Sequence, residues 1–176
     1  MIERVDALCR GIEEALAGQI TCFEGCSSCC TQITVFPVEA AALNAALDVL
    51  PTDQGSAIRR HVDDHAEGER CPLLHQSRCL IYQTRPIICR THGLPIVYSE
   101  DGERNIDCCP KNQVTRETLT GSNVIDLERL NTLLVAVNAL YCSQTGAANL
   151  PDRLTIVEAL RQTAVSGAAW CECGTV

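Results

Sequence analysis

Apolar residues recur at three- and four-residue steps through Ile2, Val5, Leu8, Cys9, Ile12, Ala15 and Leu16, the stripe of an amphipathic helix. A second helix is predicted where Pro37, in a first turn, leads into Val38, Glu39 and a run of alanines and leucines to Leu50, with Pro51 as the stop. From Thr52 to Arg70 the residues are mostly charged, which predicts an exposed helix plus linker. At Cys71 the texture changes to short strands. Residues 71–74 and 78–82 flank a polar turn at His75-Gln76-Ser77, a β-hairpin that brings Cys71 near Cys79. A short helix is expected from about Arg85-Pro86, carrying Cys89, Arg90 and His92 until Gly93 stops it. A second hairpin follows, with strands 94–99 and 104–109 around the turn Glu100-Asp101-Gly102-Glu103. Two helices complete the pattern. One starts near Ser122-Asn123, has Asp126 in its first turn and puts Leu127, Leu130, Leu134, Val137 and Tyr141 on one face; the other follows Pro151-Asp152 to about Val165. The fold expected is mainly α with a small cysteine-rich β-hairpin region, an α+β arrangement of helices packed around a metal site.

At 176 residues the chain reads as one domain, 1–176, with a cysteine-rich core of about 22–112 and helical flanks 1–20 and 122–166. Aromatics are only 3% of residues, so the core must be built from Leu, Ile, Val and Ala, and a metal crosslink would add stability that large aromatic contacts usually supply. Net charge is −8, without a lysine or arginine cluster to follow a phosphate backbone, which argues against nucleic acid and anionic membrane surfaces as partners. Membrane insertion is not expected either. Glu39 and Asn44 interrupt one apolar stretch, and Asn131 and Asn138 another, before either reaches the ~20 residues that span a bilayer. No serine–histidine–aspartate set, phosphate loop or paired-carboxylate motif is recognisable.

The cysteines change this picture most. There are 13, an odd number that cannot all pair within one molecule, and the chain opens with the acidic run Met1 to Asp6 where a secretory signal needs a basic start. A reducing compartment, the cytoplasm, is expected, where thiols stay free unless metal takes them. The vicinal pairs Cys29-Cys30 and Cys108-Cys109 are poor disulfide partners and good metal ligands. The first group reads C-x3-C-x2-C-C: Cys22, Cys26, Cys29 and Cys30. A regular helix would hold Cys22 and Cys30 about 12 Å apart, too far for one four-ligand site with metal–sulfur bonds of ~2.3 Å. The segment must therefore curl, and Gly25, Ser27 and Ser28 permit it. Further ligands come from Cys71, Cys79, Cys89, Cys108 and Cys109, with Arg85, Arg90 and backbone amides offsetting the thiolate charge. Cys9 reads as a small buried hydrophobe on the first stripe. His61 and His65 lie one turn apart, but Val62 stands where a zinc-protease motif needs glutamate, so they read as a solvated face without metal. His92 reads as a hydrogen-bond partner of a ligand sulfur or a carbonyl, with ligation as the alternative. Tyr82 reads as packing on the hairpin. Cys171-Glu172-Cys173, beside Trp170, reads as a reduced tail in preference to a C-x-C clamp over the site.

The residues from Cys22 to Cys30, then Cys71-Pro72-Leu73-Leu74, then Cys79-Leu80-Ile81-Tyr82-Gln83-Thr84-Arg85-Pro86-Ile87-Ile88-Cys89-Arg90, resemble the YkgJ-type cysteine-cluster family of zinc- or iron-chelating proteins. The resemblance covers roughly Cys22 to Asn112 and takes in Thr91-His92-Gly93-Leu94-Pro95 and Cys108-Cys109-Pro110. It implies metal chelation by Cys22, Cys26, Cys29, Cys30, Cys71, Cys79 and Cys89, with Cys108 and Cys109 as in members with a second vicinal pair, and no particular reaction. Cys9, Cys142, Cys171 and Cys173 fall outside the motif. In spacing alone, C-x3-C-x2-C also resembles the [4Fe–4S] loop of radical S-adenosylmethionine enzymes, whose barrel this chain is too short to form. Eight or nine thiolates suit one or two iron–sulfur clusters, or a larger one, at least as well as two zinc sites. The expected function is an iron–sulfur module in redox or electron transfer, serving a redox or protein partner. A zinc-stabilised structural or protein-binding domain is the alternative. A metal-dependent enzyme related to flagellin lysine methylases, which bear a similar motif in a longer chain, ranks last.

Overall fold

In the computed structural model, which describes residues 1–147 and 150–162, the first apolar stripe forms α1 (Ile2–Ala15) and buries Val5, Cys9, Ile12 and Leu16. Ile2 and Leu8, on the same stripe by spacing, stand at its edge, each 39% exposed. After β1 (Thr34–Val35), Pro37 opens α2 (Pro37–Asp48), and α3 (Thr52–Asp64) follows the proline stop. The charged third helix is less exposed than its composition suggests. It buries Gly55, Ile58 and Val62, and Gly55 comes so close to α2 that a Cβ there would stand 2.9 Å from the Leu47 carbonyl oxygen.

The first hairpin pairs β2 (Leu74–His75) with β3 (Arg78–Cys79), and Tyr82 follows in a 3-10 turn, Tyr82–Thr84, beyond the strand on which it was expected to pack. The short helix α4 (Ile87–Thr91) ends at His92, where Gly93 takes φ +92°. The second hairpin pairs β4 (Ile96–Glu100) with β5 (Glu103–Asp107) in the expected register around Asp101-Gly102, both at positive φ.

Two helix starts differ from expectation. Ser122-Asn123 do not begin a helix: the Asn123 side chain accepts from the Thr120 amide and donates to the Thr118 carbonyl, closing a turn. The next two apolar-then-acidic residues extend as β6 (Ile125–Asp126), parallel to β4, and Asp126 caps α5 (Leu127–Thr145) by accepting from the Arg129 amide at 2.9 Å. Of the face expected on α5, Leu134 is buried and Leu130 and Tyr141 half-buried, but Leu127 and Val137 are exposed. At the end of the described chain Leu154–Thr155 form β7, paired antiparallel with β1, before α6 (Ile156–Arg161) starts. Thr155 and Glu158 form a capping box there, which moves the helix start past Pro151-Asp152. Val165 and the Cys171-Glu172-Cys173 segment lie outside the described residues. Among the described residues no helix is long and apolar enough to cross a membrane.

Two hydrophobic clusters result. Ala40, Leu43 and Leu47 of α2, Ile58 and Val62 of α3, Leu73 and Ile81 around the first hairpin, and the apolar face of α6 form one; half-buried Cys71 and Cys79 pack against it. The α1 stripe, Phe36, Ile87, Leu94, Ile125 and Leu134 form the other. Ile81 belongs to the first and Ile87 to the second, so the chain between them, leading to Cys89, crosses from one core to the other.

Candidate metal centre

The segment carrying the first four cysteines curls, as its small residues permit. Cys26 donates its amide to the Phe23 carbonyl (3.0 Å), Cys30 to Ser27 (3.1 Å), and Gly25 sits at φ +102°. The resulting strap is tied at both ends. Near Thr21 it meets residues 111–113: the Thr21 amide donates to Asn112 Oδ1 (2.9 Å), its hydroxyl to the Lys111 carbonyl (2.9 Å), and the Gln113 amide to the Gln19 carbonyl (2.8 Å). At Cys30 it meets the approach to the first hairpin, where Cys71 donates to the Cys30 carbonyl (3.1 Å) and Gln32 to the Glu69 carbonyl (3.2 Å). The vicinal pair Cys29-Cys30 therefore lies where the strap joins the body of the protein.

The hairpin turns in two residues, Gln76 (φ 48°) and Ser77 (φ 63°), so Leu74 faces Cys79 across the strands and Cys71 lies just before them. Cys89 is placed by Glu39, which in the sequence stands only as a first-turn residue of α2 and a break in an apolar stretch. Its carboxylate, 9% exposed, accepts from the Phe36 amide at the start of α2 (3.1 Å) and from the Ile87 amide at the start of α4 (2.9 Å). One side chain thus fixes two helix starts relative to each other. The available signal was its position in the first turn of α2, obscured because Phe36 occupies the cap where a capping box has serine or threonine.

Cys22, Cys26, Cys29, Cys30, Cys71, Cys79 and Cys89 line one cavity of about 140 Å³, together with Tyr82, Arg85 and His92. The thiols also act on one another electrostatically, with Cys29 raising both Cys22 and Cys30. Cys71 and Cys79 act on Cys30 and Cys89, Cys79 on Cys71 and Cys30 on Cys89, while Cys26 and Cys109 act with Cys29 on Cys22. Burial, followed by repulsion from Cys71, Cys79 and Cys30, pushes the Cys89 thiol up to about 12, and burial with repulsion from Cys29, Cys71 and Cys79 pushes Cys30 up to about 11. Burial also raises Cys71, Cys79 and Cys22. Cys26 goes the other way. The Ser28 amide donates to its sulfur, and the nearby Lys111 ammonium, 3.9 Å away, adds to the effect. Thiols held protonated by burial give up their protons when a cation takes the place of the proton, which couples metal uptake to proton release.

Of the nine cysteines singled out by the sequence, Cys108 and Cys109 do not line the cavity. Cys109 stands at its edge: its amide donates to the Gly93 carbonyl (3.2 Å), and a Cβ on Gly93 would touch both the Cys109 Cβ (3.6 Å) and the Cys22 sulfur (3.9 Å). The Cys108 thiol is raised by burial, with Asp107 and Cys109 adding to it. Arg85 leans over the Tyr82 ring at 3.6 Å and draws Cys79 and Cys89 down against their burial. Arg90, expected to offset thiolate charge, also lines the cavity, and both Asp6 carboxylate oxygens lie 2.8 Å from its Nη1. His92 is exposed on the cavity lining. Cys9 is buried away from the cavity and donates its S–H to the Arg90 carbonyl, 3.6 Å away.

The donor chemistry fits zinc or iron, both of which take thiolates. As they stand, no three Cys, His, Asp or Glu side chains among the described residues are gathered at the spacing of a single ion. No curated protein and no solved structure matches the chain. The family model CxxCxxCC, "Putative zinc- or iron-chelating domain", matches residues 21–110, from the residue before Cys22 to the residue after Cys109. That stretch is more than half of the 176 residues and contains all seven cavity cysteines, and the chain belongs to this zinc- or iron-chelating family.

Proposed function

We propose that Cys22, Cys26, Cys29, Cys30, Cys71, Cys79 and Cys89, with Cys109 at the edge, hold iron as an iron–sulfur cluster and that the protein serves in electron transfer. The observation that carries this reading is the gathering of seven thiols around one cavity, more than the four that a single zinc site takes. A single zinc ion draws four ligands to within ~2.3 Å of one point, whereas a cluster places several metal atoms and sulfides between its thiolates and spreads them. The volume agrees, since about 140 Å³ would hold several waters and exceeds what one ion fills. Bound there, a cluster supplies one-electron redox chemistry. The chain's own part is to set exposure: the inner thiols rest against a hydrophobic core, while Cys22 and Phe23, the latter 67% exposed, bring the strap side to the surface where a partner can approach. Redox potential depends on such exposure and on hydrogen bonds to sulfur, of which the Ser28 amide to Cys26 is one.

Anaerobic purification followed by a visible spectrum and electron paramagnetic resonance before and after dithionite tests this directly. A broad visible absorption that bleaches on reduction, with a new paramagnetic signal, is expected. A colourless protein carrying zinc would overturn the cluster and leave a zinc-stabilised domain in its place.

A further inference from the structure

α5 is apolar on more sides than it buries. It packs on α2 and β4, and of its 19 residues only Leu134 is buried. Leu133, Val135, Ala136, Val137, Ala139 and Leu140 all stand exposed, Leu133 at 52% and Leu140 at 58%. A helix with apolar residues all round is normally covered on every side. At 3.6 residues per turn, Leu133, Ala136, Val137 and Leu140 fall within one arc of about 100°, centred about 110° around the helix from Leu134. None of them lines the cysteine cavity, so what this face does is independent of the cluster reading.

The arc reads alike in both directions. About a midpoint between Ala136 and Val137, Leu133 mirrors Leu140 and Arg129 mirrors Gln144. A two-fold axis requires this kind of pattern, because in an isologous contact the same patch serves both copies. Two α5 helices laid antiparallel seat each Leu133 on Leu140 of the second copy.

Charge points the same way. From Leu130 to Thr145 there is no Asp, Glu, Lys, Arg or His, in a chain of net charge −8. Two copies repel each other least where neither carries charge, and a partner recognised by complementary charge finds nothing on this stretch to recognise. Arg129 stands just before it, in the first turn, where the helix dipole disfavours a cation, and it has no ion pair among the described residues. The last turn of α5 lacks the basic residue that would offset its open carbonyls. In the antiparallel register Arg129 of each copy reaches that C-terminal turn of the other, so one mismatch answers the other.

We propose that α5 is a homodimer interface, two copies pairing antiparallel through Leu133, Ala136, Val137 and Leu140. The small Ala136 at the centre lets the helix axes approach toward the lower end of the 8–10 Å range of packed helices.

The test is sedimentation equilibrium of the whole chain, as purified with the metal it carries, from about 1 to 100 μM. A reversible monomer–dimer equilibrium is expected. Leu133→Glu/Leu140→Glu sets like charges against each other across the axis and should raise the dissociation constant at least ~100-fold. Leu133→Glu/Leu140→Lys sets opposite charges across the same contact and should dimerise at least ~10-fold more tightly than the double glutamate variant. Both leucines are more than half exposed, so circular dichroism and bound metal should match the wild type in each variant. A wild type that stays monomeric throughout, which would leave α5 to a different protein or to another part of this chain, would overturn the pairing. So would wild-type dimerisation of the Leu133→Glu/Leu140→Glu variant, or equal weakening in the two variants, which would contradict the antiparallel register.

Discussion

Cys71, Cys79 and Cys89 stand on or beside a hairpin and a helix tied into hydrophobic packing, whereas Cys22 and Cys26 stand on a strap without regular structure, held by hydrogen bonds at its two ends. The inner wall is rigid because its backbone is bonded into strands and a helix whose start Glu39 fixes. The outer wall is placed by a few bonds near the surface, which open locally at lower cost. Electrostatics follow the same division: burial keeps the inner thiols protonated, while the Ser28 amide and Lys111 favour the thiolate at Cys26. A metal approaching from solvent would meet the more readily ionised Cys26 before the buried, protonated thiols of the inner wall.

The largest consequence is in thiol reactivity. In metal-free protein at pH 8, a Cys89 thiol at about 12 is ionised in only about one molecule in ten thousand, whereas the Ser28 amide and Lys111 shift Cys26 below its ordinary value toward the thiolate. Iodoacetamide should modify Cys26 well before Cys89, as followed by peptide mass spectrometry; comparable rates would erase the distinction between the walls. The sign for stability follows from the same shifts. Raised thiols at Cys30 and Cys89 favour the metal-free fold fully below pH 9.0, and this contribution is lost as pH rises through about 11 and 12.

Next in size, Glu39→Ala leaves two buried amides, those of Phe36 and Ile87, without an acceptor and should cost about 2–4 kcal/mol in urea unfolding. Its hydrogen exchange should rise at α4 while that at Thr21 and Cys26 stays at the wild-type level. Equal loosening of both walls would mean that the inner wall has no anchor of its own. Asn112→Ala acts on the other wall, where the side chain joins Thr21 to the Gly93 carbonyl, and should cost about 1 kcal/mol, with faster exchange confined to the strap. The smallest effect is a gain. Ser77 occupies a left-handed conformation at φ 63°, and Ser77→Gly should stabilise the first hairpin by ~0.5–1 kcal/mol; a loss of stability would show that the turn is not strained.

Much of this was legible from the chain because the determining signals are local. The Cys-Pro and Gly punctuation around residues 71–109 marked both hairpins and the short helix between them, and the weak helix formers at Gly25, Ser27 and Ser28 permitted the curl of the strap. What could not be read rests on contacts distant in sequence. Nothing near Glu39 announces that it will meet Ile87, and nothing near Arg90 announces that Asp6 will claim its guanidinium. The parallel pairing of Ile125-Asp126 with β4 is likewise a tertiary event, and it displaced the predicted start of α5. His61 and His65 were visible one turn apart, but the His75 ring arrives beside His61 from the hairpin.

The central claim is that the inner cysteines hold iron together with inorganic sulfide. The most direct measurement is iron and acid-labile sulfide per chain in anaerobically purified wild type, Cys89→Ser and Cys9→Ser, each shown folded by circular dichroism. The account expects matching iron and sulfide in the wild type, the same in Cys9→Ser, whose thiol lies in the core away from the cavity, and loss of at least half of both in Cys89→Ser. Wild-type protein without sulfide, or Cys89→Ser with its iron and sulfide undiminished, would contradict it.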